Sequence, residues 1–213
     1  MRAKSFADWV KPLIATALIA GAFVGKAYAE ESAAALLAEM RHSFTLHGKP
    51  VPPEIFRDFG DGDIADSGSI WVTVDVAAAI GSNLYFDDIK KERGWLAQSH
   101  ANQSINGREE TAYRFIGATE NGLLVVIASY NGGGTGTFYT LHILDVAAAR
   151  GWDFDGKPYQ RINLTILRSV ILGDRWDGDV TIAKNSISIV TTRRGPTDDS
   201  GKATTLTISA ERP

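Results

Sequence analysis

Asp58, Asp61, Asp63 and Asp66 are interleaved with glycines and apolar residues in the run Asp58-Phe59-Gly60-Asp61-Gly62-Asp63-Ile64-Ala65-Asp66. Carboxylates spaced in this way let a loop fold around a hard cation, and calcium, which takes many oxygen ligands, would suit it. The register is imperfect. An EF-hand needs oxygen ligands at its first, third and fifth positions and a closing glutamate, but counting from Asp61 puts Ala65 fifth and Val72 at the closing position. A solvated turn with no cofactor is therefore the favoured reading, and a calcium loop the alternative.

A second acidic cluster, Asp174-Arg175-Trp176-Asp177-Gly178-Asp179, sets carboxylates beside a tryptophan. A sugar site uses such a set: the ring stacks on a pyranose face while Asp174, Asp177 or Asp179 binds hydroxyls or does acid/base work. The same residues also read as a turn, because Asp-Gly favours a chain reversal and Trp176 can cap a core. Other motifs lack their context. The loop Gly132-Gly133-Gly134-Thr135-Gly136 has no Gly-Lys-Ser/Thr ending and leads into a strand rather than a helix, so it does not suit phosphate. There is no Gly-x-Ser-x-Gly elbow, and His42, His47, His100 and His142 fall at no zinc-ligand spacing. With no cysteine in the chain, disulfides, thiolate metal sites and cysteine nucleophiles are excluded.

The elements that must carry these residues are mostly strands. Residues 32–41 are rich in Ala, Leu, Glu and Met, with Leu36, Leu37 and Met40 on one helical face, and predict a short amphipathic helix. Pro52-Pro53-Glu54 predicts the start of a single helical turn among loops. Strand-like runs follow at Ile70 to Val76, Thr111 to Gly117, Leu123 to Tyr130, Thr137 to Asp145, Ile162 to Leu172, Val180 to Ile182, Ser186 to Thr192 and Thr204 to Ala210. Turn signals such as Asn121-Gly122 and Ala183-Lys184-Asn185 separate them, which favours a meander. Alternation of Tyr139, Leu141 and Ile143 with Thr140 and His142 assigns His142 to a wetter face. The expected fold is mainly β: an antiparallel β-sandwich or partly closed barrel with a short N-terminal helix, with α+β as the alternative.

One internal echo stands out. Val74-Asp75-Val76-Ala77-Ala78-Ala79-Ile80-Gly81 aligns with Leu144-Asp145-Val146-Ala147-Ala148-Ala149-Arg150-Gly151, and each is followed by an aromatic and acidic stretch. A duplicated strand-turn-strand unit would have each strand end at its aspartate and each glycine reverse the chain; coincidence of cheap alanine runs is the other reading.

The first 29 residues have the parts of a cleavable secretory signal. Arg2, Lys4 and Lys11 precede the apolar run Leu13 to Val24, which is short of a bilayer span, and Ala27-Tyr28-Ala29 offers small residues to a signal peptidase. That segment has no twin-arginine pair and no lipobox cysteine. Losing four cations and one carboxylate would take the net charge from −3 to −6. Such an acidic chain repels phosphate backbones and anionic headgroups, so neither nucleic acid nor a stable membrane anchor is expected after cleavage. Residues 30–213 are read as one β-rich domain in the periplasm or outside the cell. Its expected role is non-catalytic, binding a small ligand, a cell-wall component or a protein. A hydrolase acting on carbohydrate through the 174–179 acids is the alternative. Intact-mass measurement of the periplasmic fraction should give a chain that begins at Glu30; uncleaved protein in the membrane fraction would overturn the signal.

Overall fold

The computed structural model describes residues 33–57, 73–81, 87–102, 107–192 and 203–212. Asp58, Asp61, Asp63 and Asp66 lie outside the described residues, as does the proposed signal. Helix α1 covers residues 33–43, close to the 32–41 expected. It stops where Phe44 turns left-handed at φ 55 and its N–H closes on the Met40 carbonyl at 3.0 Å. A small hairpin follows, β1 (Thr45–Leu46) with β2 (Lys49–Pro50), and Glu39 holds its turn by accepting from Thr45, His47 and Gly48. The single helical turn at Pro53–Phe56 is a 3-10 helix with proline at its start, as the sequence implies.

Seven strands form the main sheet in the order β3 (Thr73–Asp75), β9 (Pro158–Asp174), β8 (Phe138–Trp152), β7 (Leu124–Asn131), β6 (Gly107–Ala118), β5 (Trp95–Asn102) and β4 (Lys90–Glu92). From β4 to β9 each strand pairs antiparallel with the next in sequence, the expected meander. A helix α2 (Val76–Gly81) follows β3. The remaining strands, β10 (Gly178–Ala183), β11 (Ser186–Thr191) and β12 (Thr204–Ser209), form a second antiparallel sheet. Among the described residues no sheet closes into a barrel, and the two sheets pack in a sandwich-like arrangement.

The main sheet is covered on both sides. Leu124, Val126 and Ala128 of β7 face one core with α1 residues Leu36 and Met40, and with Phe44 and Phe56. Leu123, Val125 and Ile127 face the other core with Val180, Ile187, Ile189 and Ile208 of the second sheet. The reading of His142 is corrected here: its alternate face is no wetter, and the residue is 0% exposed, its ring stacked on Phe56 at 5.6 Å. The alternation implies a sheet with one covered face, and the helical layer closes the other. The duplicated turn is also corrected. Val76–Gly81 is helical, but the equivalent residues after Asp145 continue as strand to Trp152, because they are paired along their length with β9.

Burial of His142 holds its imidazole neutral, with its pKa lowered from 6.5 to about 4 by desolvation. The unfolded chain therefore binds a proton that the folded chain refuses, so stability is full above pH 6.5 and is lost as pH falls towards 4. Urea denaturation should show a loss of about 2 kcal/mol from this group between neutral pH and pH 5. His142→Gln, which retains a hydrogen-bonding partner for Ser169, should remove that part of the pH dependence. An unchanged pH profile in the variant would refute the assignment to His142.

Candidate functional site

The 174–179 residues are placed by the turn that leads out of β9. The Asp174 carboxylate accepts the Thr137 N–H at 2.9 Å, the Arg175 N–H donates to the Thr137 carbonyl at 2.8 Å, and the Arg175 guanidinium reaches the Thr135 carbonyl at 2.8 Å. Together they clasp the glycine-rich loop between β7 and β8. Trp176 is half-buried against the second core, tilted on Tyr139 at 6.3 Å, and its Nε1 donates to Thr191 Oγ1 at 3.1 Å. Its ring also lies over Gly178, where an added Cβ would stand 2.6 Å from it. The Asp177 carbonyl accepts the Thr192 N–H at 3.1 Å, and Asp179 is exposed on β10 opposite Val190. These contacts account for Asp174 as a loop clasp and for Trp176 as a core cap. Among the described residues no group of three or more His, Cys, Asp or Glu could hold a metal.

A polar set that sequence reading missed lies at one end of the helix-covered face. Glu109 on β6 is buried and pairs across to His100 on β5, whose Nε2 is 3.5 Å from its carboxylate. Arg57, just after the 3-10 turn, approaches the same oxygen at 3.3 Å. Tyr130 on β7 joins them: burial raises its pKa, the Glu109 carboxylate raises it further, and Arg57 opposes. Beside them, buried Gln98 accepts the Glu54 N–H at 3.2 Å and donates to the Asp87 carbonyl at 3.2 Å. Opposite charges meet within the set, and it ties the covering turn to β5, β6 and β7. On the same face His142 Nδ1 lies 2.9 Å from Ser169 Oγ, a pair poorly suited to base chemistry, since the imidazole is fully covered and resists protonation.

A feature that faces outward is the β8–β9 hairpin. Pairing of β8 with β7 ends at Leu144, while its pairing with β9 runs on to Trp152 opposite Pro158, so the two strands continue together as a ribbon. The connecting turn is held by its own polar groups. Asp153 N–H donates to the Lys157 carbonyl at 2.9 Å, Gly156 N–H to the Asp153 carbonyl at 3.0 Å, and the Asp153 carboxylate accepts the N–H groups of Asp155 and Lys157 at 3.0 and 2.8 Å. Gly156 supplies the left-handed residue, at φ 77. Lower on the ribbon, the Tyr159 ring covers Gly151, where an added Cβ would be 2.7 Å away. Its hydroxyl donates to the Asp75 carboxylate, which Arg161 approaches at 3.5 Å and which accepts the Ala77 N–H at the start of α2 at 3.1 Å. That hydrogen bond is the chief cause of the raised Tyr159 pKa, since it holds the phenol proton. At the end of this pinned ribbon Trp152 is 63% exposed and Phe154 is fully exposed.

Comparison with protein-family models, with curated proteins and with solved structures finds no match to this chain. No helix among the described residues is long and apolar enough to cross a membrane.

Glu109→Ala should destabilise the protein by about 1–3 kcal/mol, because it leaves Arg57 and His100 facing a site without its carboxylate, and Arg57 is exposed enough to recover some hydration. Urea denaturation at neutral pH measures it. A loss below about 0.5 kcal/mol, the usual size of a surface change, would show that the set does not hold the turn.

Proposed function

We propose that the protein is an exported, non-catalytic interaction module that binds through the tip of the β8–β9 hairpin. The observation that supports this reading is the exposure of Trp152 and Phe154 on a turn already fixed by its own hydrogen bonds. Large aromatic side chains are costly to leave in water and are the commonest anchors of binding surfaces. A rigid display reduces the entropy lost on association. The tip projects rather than encloses, so its partner is a surface with an apolar recess, on a protein or a cell-wall polymer. Export is supported by the pattern of the first 29 residues, and the acidic charge after cleavage favours partners other than nucleic acid.

A photo-reactive phenylalanine analogue placed at position 154 should crosslink to discrete envelope material in cells, while the same analogue at Lys90 on edge strand β4 should not. Trp152→Ala with Phe154→Ala should weaken co-sedimentation with isolated cell envelopes by about tenfold or more, at an unchanged melting temperature. Equal envelope binding by the double variant would remove the tip from the reading.

A further inference from the structure

Strand β12 is the outer strand of the second sheet, hydrogen-bonded only on its β11 side within that sheet. An open edge presents a row of unpaired N–H and C=O groups, which proteins ordinarily blunt with charge, proline, shortness or cover. Strands β4, β3 and β10 follow that rule, and the stretch of β9 that runs on past its three-residue pairing with β3 carries the exposed Arg168. β4 is Lys90-Lys91-Glu92 and exposed, β3 has three residues before α2 begins, and β10 bears Asp179 and lies across β6, its Ile182 methyl near Gly117. By contrast β12 reads Thr204-Thr205-Leu206-Thr207-Ile208-Ser209, with no charge, proline or glycine. Five of its six residues are exposed. Leu206 shares the inward face with buried Ile208, yet remains 48% exposed.

The phase of the ladder shows which groups are free. Ala210 N–H donates to the Asn185 carbonyl at 2.8 Å, one step beyond the Ser186–Ser209 pair. Hydrogen-bonded and non-hydrogen-bonded pairs alternate, so Thr204, Leu206 and Ile208 direct their backbone groups to β11, and Thr205, Thr207 and Ser209 direct theirs outward.

We propose that two copies of the chain pair through β12, antiparallel, about a two-fold axis at Leu206. This pairing keeps the inward faces of both copies on one side, because a strand shifted by an even count retains its faces. Thr205 then exchanges hydrogen bonds with Thr207 of the other copy, and the reverse, using the outward groups. The two Leu206 side chains meet in a non-hydrogen-bonded pair, where Cα atoms are about 4.5 Å apart, and cover each other. Thr204 faces Ile208 of the second copy. The two three-stranded sheets become one of six, with no like charges brought together along β12. This pairing does not depend on the hairpin tip having a partner.

Because the natural chain has no cysteine, Leu206→Cys supplies a single thiol. Under mild oxidation it should form a disulfide-linked dimer rapidly, whereas Thr204→Cys, whose own copy would be about 13 Å away along the paired strands, should not. Sedimentation equilibrium of the unmodified protein should show a monomer–dimer equilibrium, weakened about tenfold or more by Thr207→Pro, which removes one outward N–H and leaves the bonds to β11 in place. Leu206→Lys, which sets two ammonium groups face to face without altering the backbone, should weaken it similarly and guards against misfolding of the proline variant. A monomer at all concentrations, equal crosslinking at 204 and 206, or crosslinking at Thr207→Cys in place of 206 would overturn the proposal.

Discussion

The central strand β7 must be buried on both faces. Leu123 to Ala128 is an unbroken apolar run, and a strand sends successive side chains to opposite sides, so one covering layer would leave half of the run in water. Everything else in the architecture answers that demand. Toward one side α1, the small β1–β2 hairpin and the 3-10 turn supply Leu36, Met40, Phe44, Leu46 and Phe56; toward the other, β10 to β12 supply Val180, Ile187, Ile189 and Ile208. Strands β6 and β8 inherit the same double cover, which is why Tyr113 and His142 are both buried although they stand among residues that alternate in the manner of a half-wet strand.

Legibility in the sequence followed from how cleanly each segment carried its period. The α1 helix, the meander from β6 to β9 and the β10–β11 hairpin were readable because apolar alternation and turn residues agreed. The strand Trp95–Asn102 was not, since its inward residues Gln98 and His100 are polar and its pattern resembles that of a loop. Those two residues face inward because Glu109, Glu54 and Asp87 partner them there, and nothing local in the sequence announces partners so distant along the chain. The alanine echo failed for a related reason. An Ala-Ala-Ala run accepts either helix or strand, and pairing with β9 decided the second copy while no such pairing continued past Asp75 in the first.

The sites divide in the same way. Trp152-Asp153-Phe154-Asp155 was visible as an aromatic and acidic stretch, but its display at a turn depends on β8 and β9 outrunning the rest of the sheet, a property of pairing length. The acids from 174 to 179 had a site-like composition, and the contacts of Asp174 and Trp176 are those the turn reading requires: a carboxylate holding a loop and an indole closing a core. Composition identifies which groups could act. Whether their polar atoms face a partner or an internal backbone group is set by neighbours far off in sequence.

A three-stranded second layer is just sufficient to cover the middle of a seven-stranded sheet, and the insufficiency falls at its margins. Val180, Ile187, Ile189 and Ile208 all pack into the core with β7 and its neighbours, whereas Leu206, on the same inward face but further along the outer strand, lies outside that core and stays half in water. A fourth strand on that side would cover it and would also use the outward backbone groups of Thr205 and Thr207. The chain provides none among its described strands, and it does not spend a lysine or proline there as it spends Lys90 and Lys91 on β4. Shape and edge chemistry thus ask for the same thing at the same strand, and a second copy of β12 meets both demands with no element added to the fold.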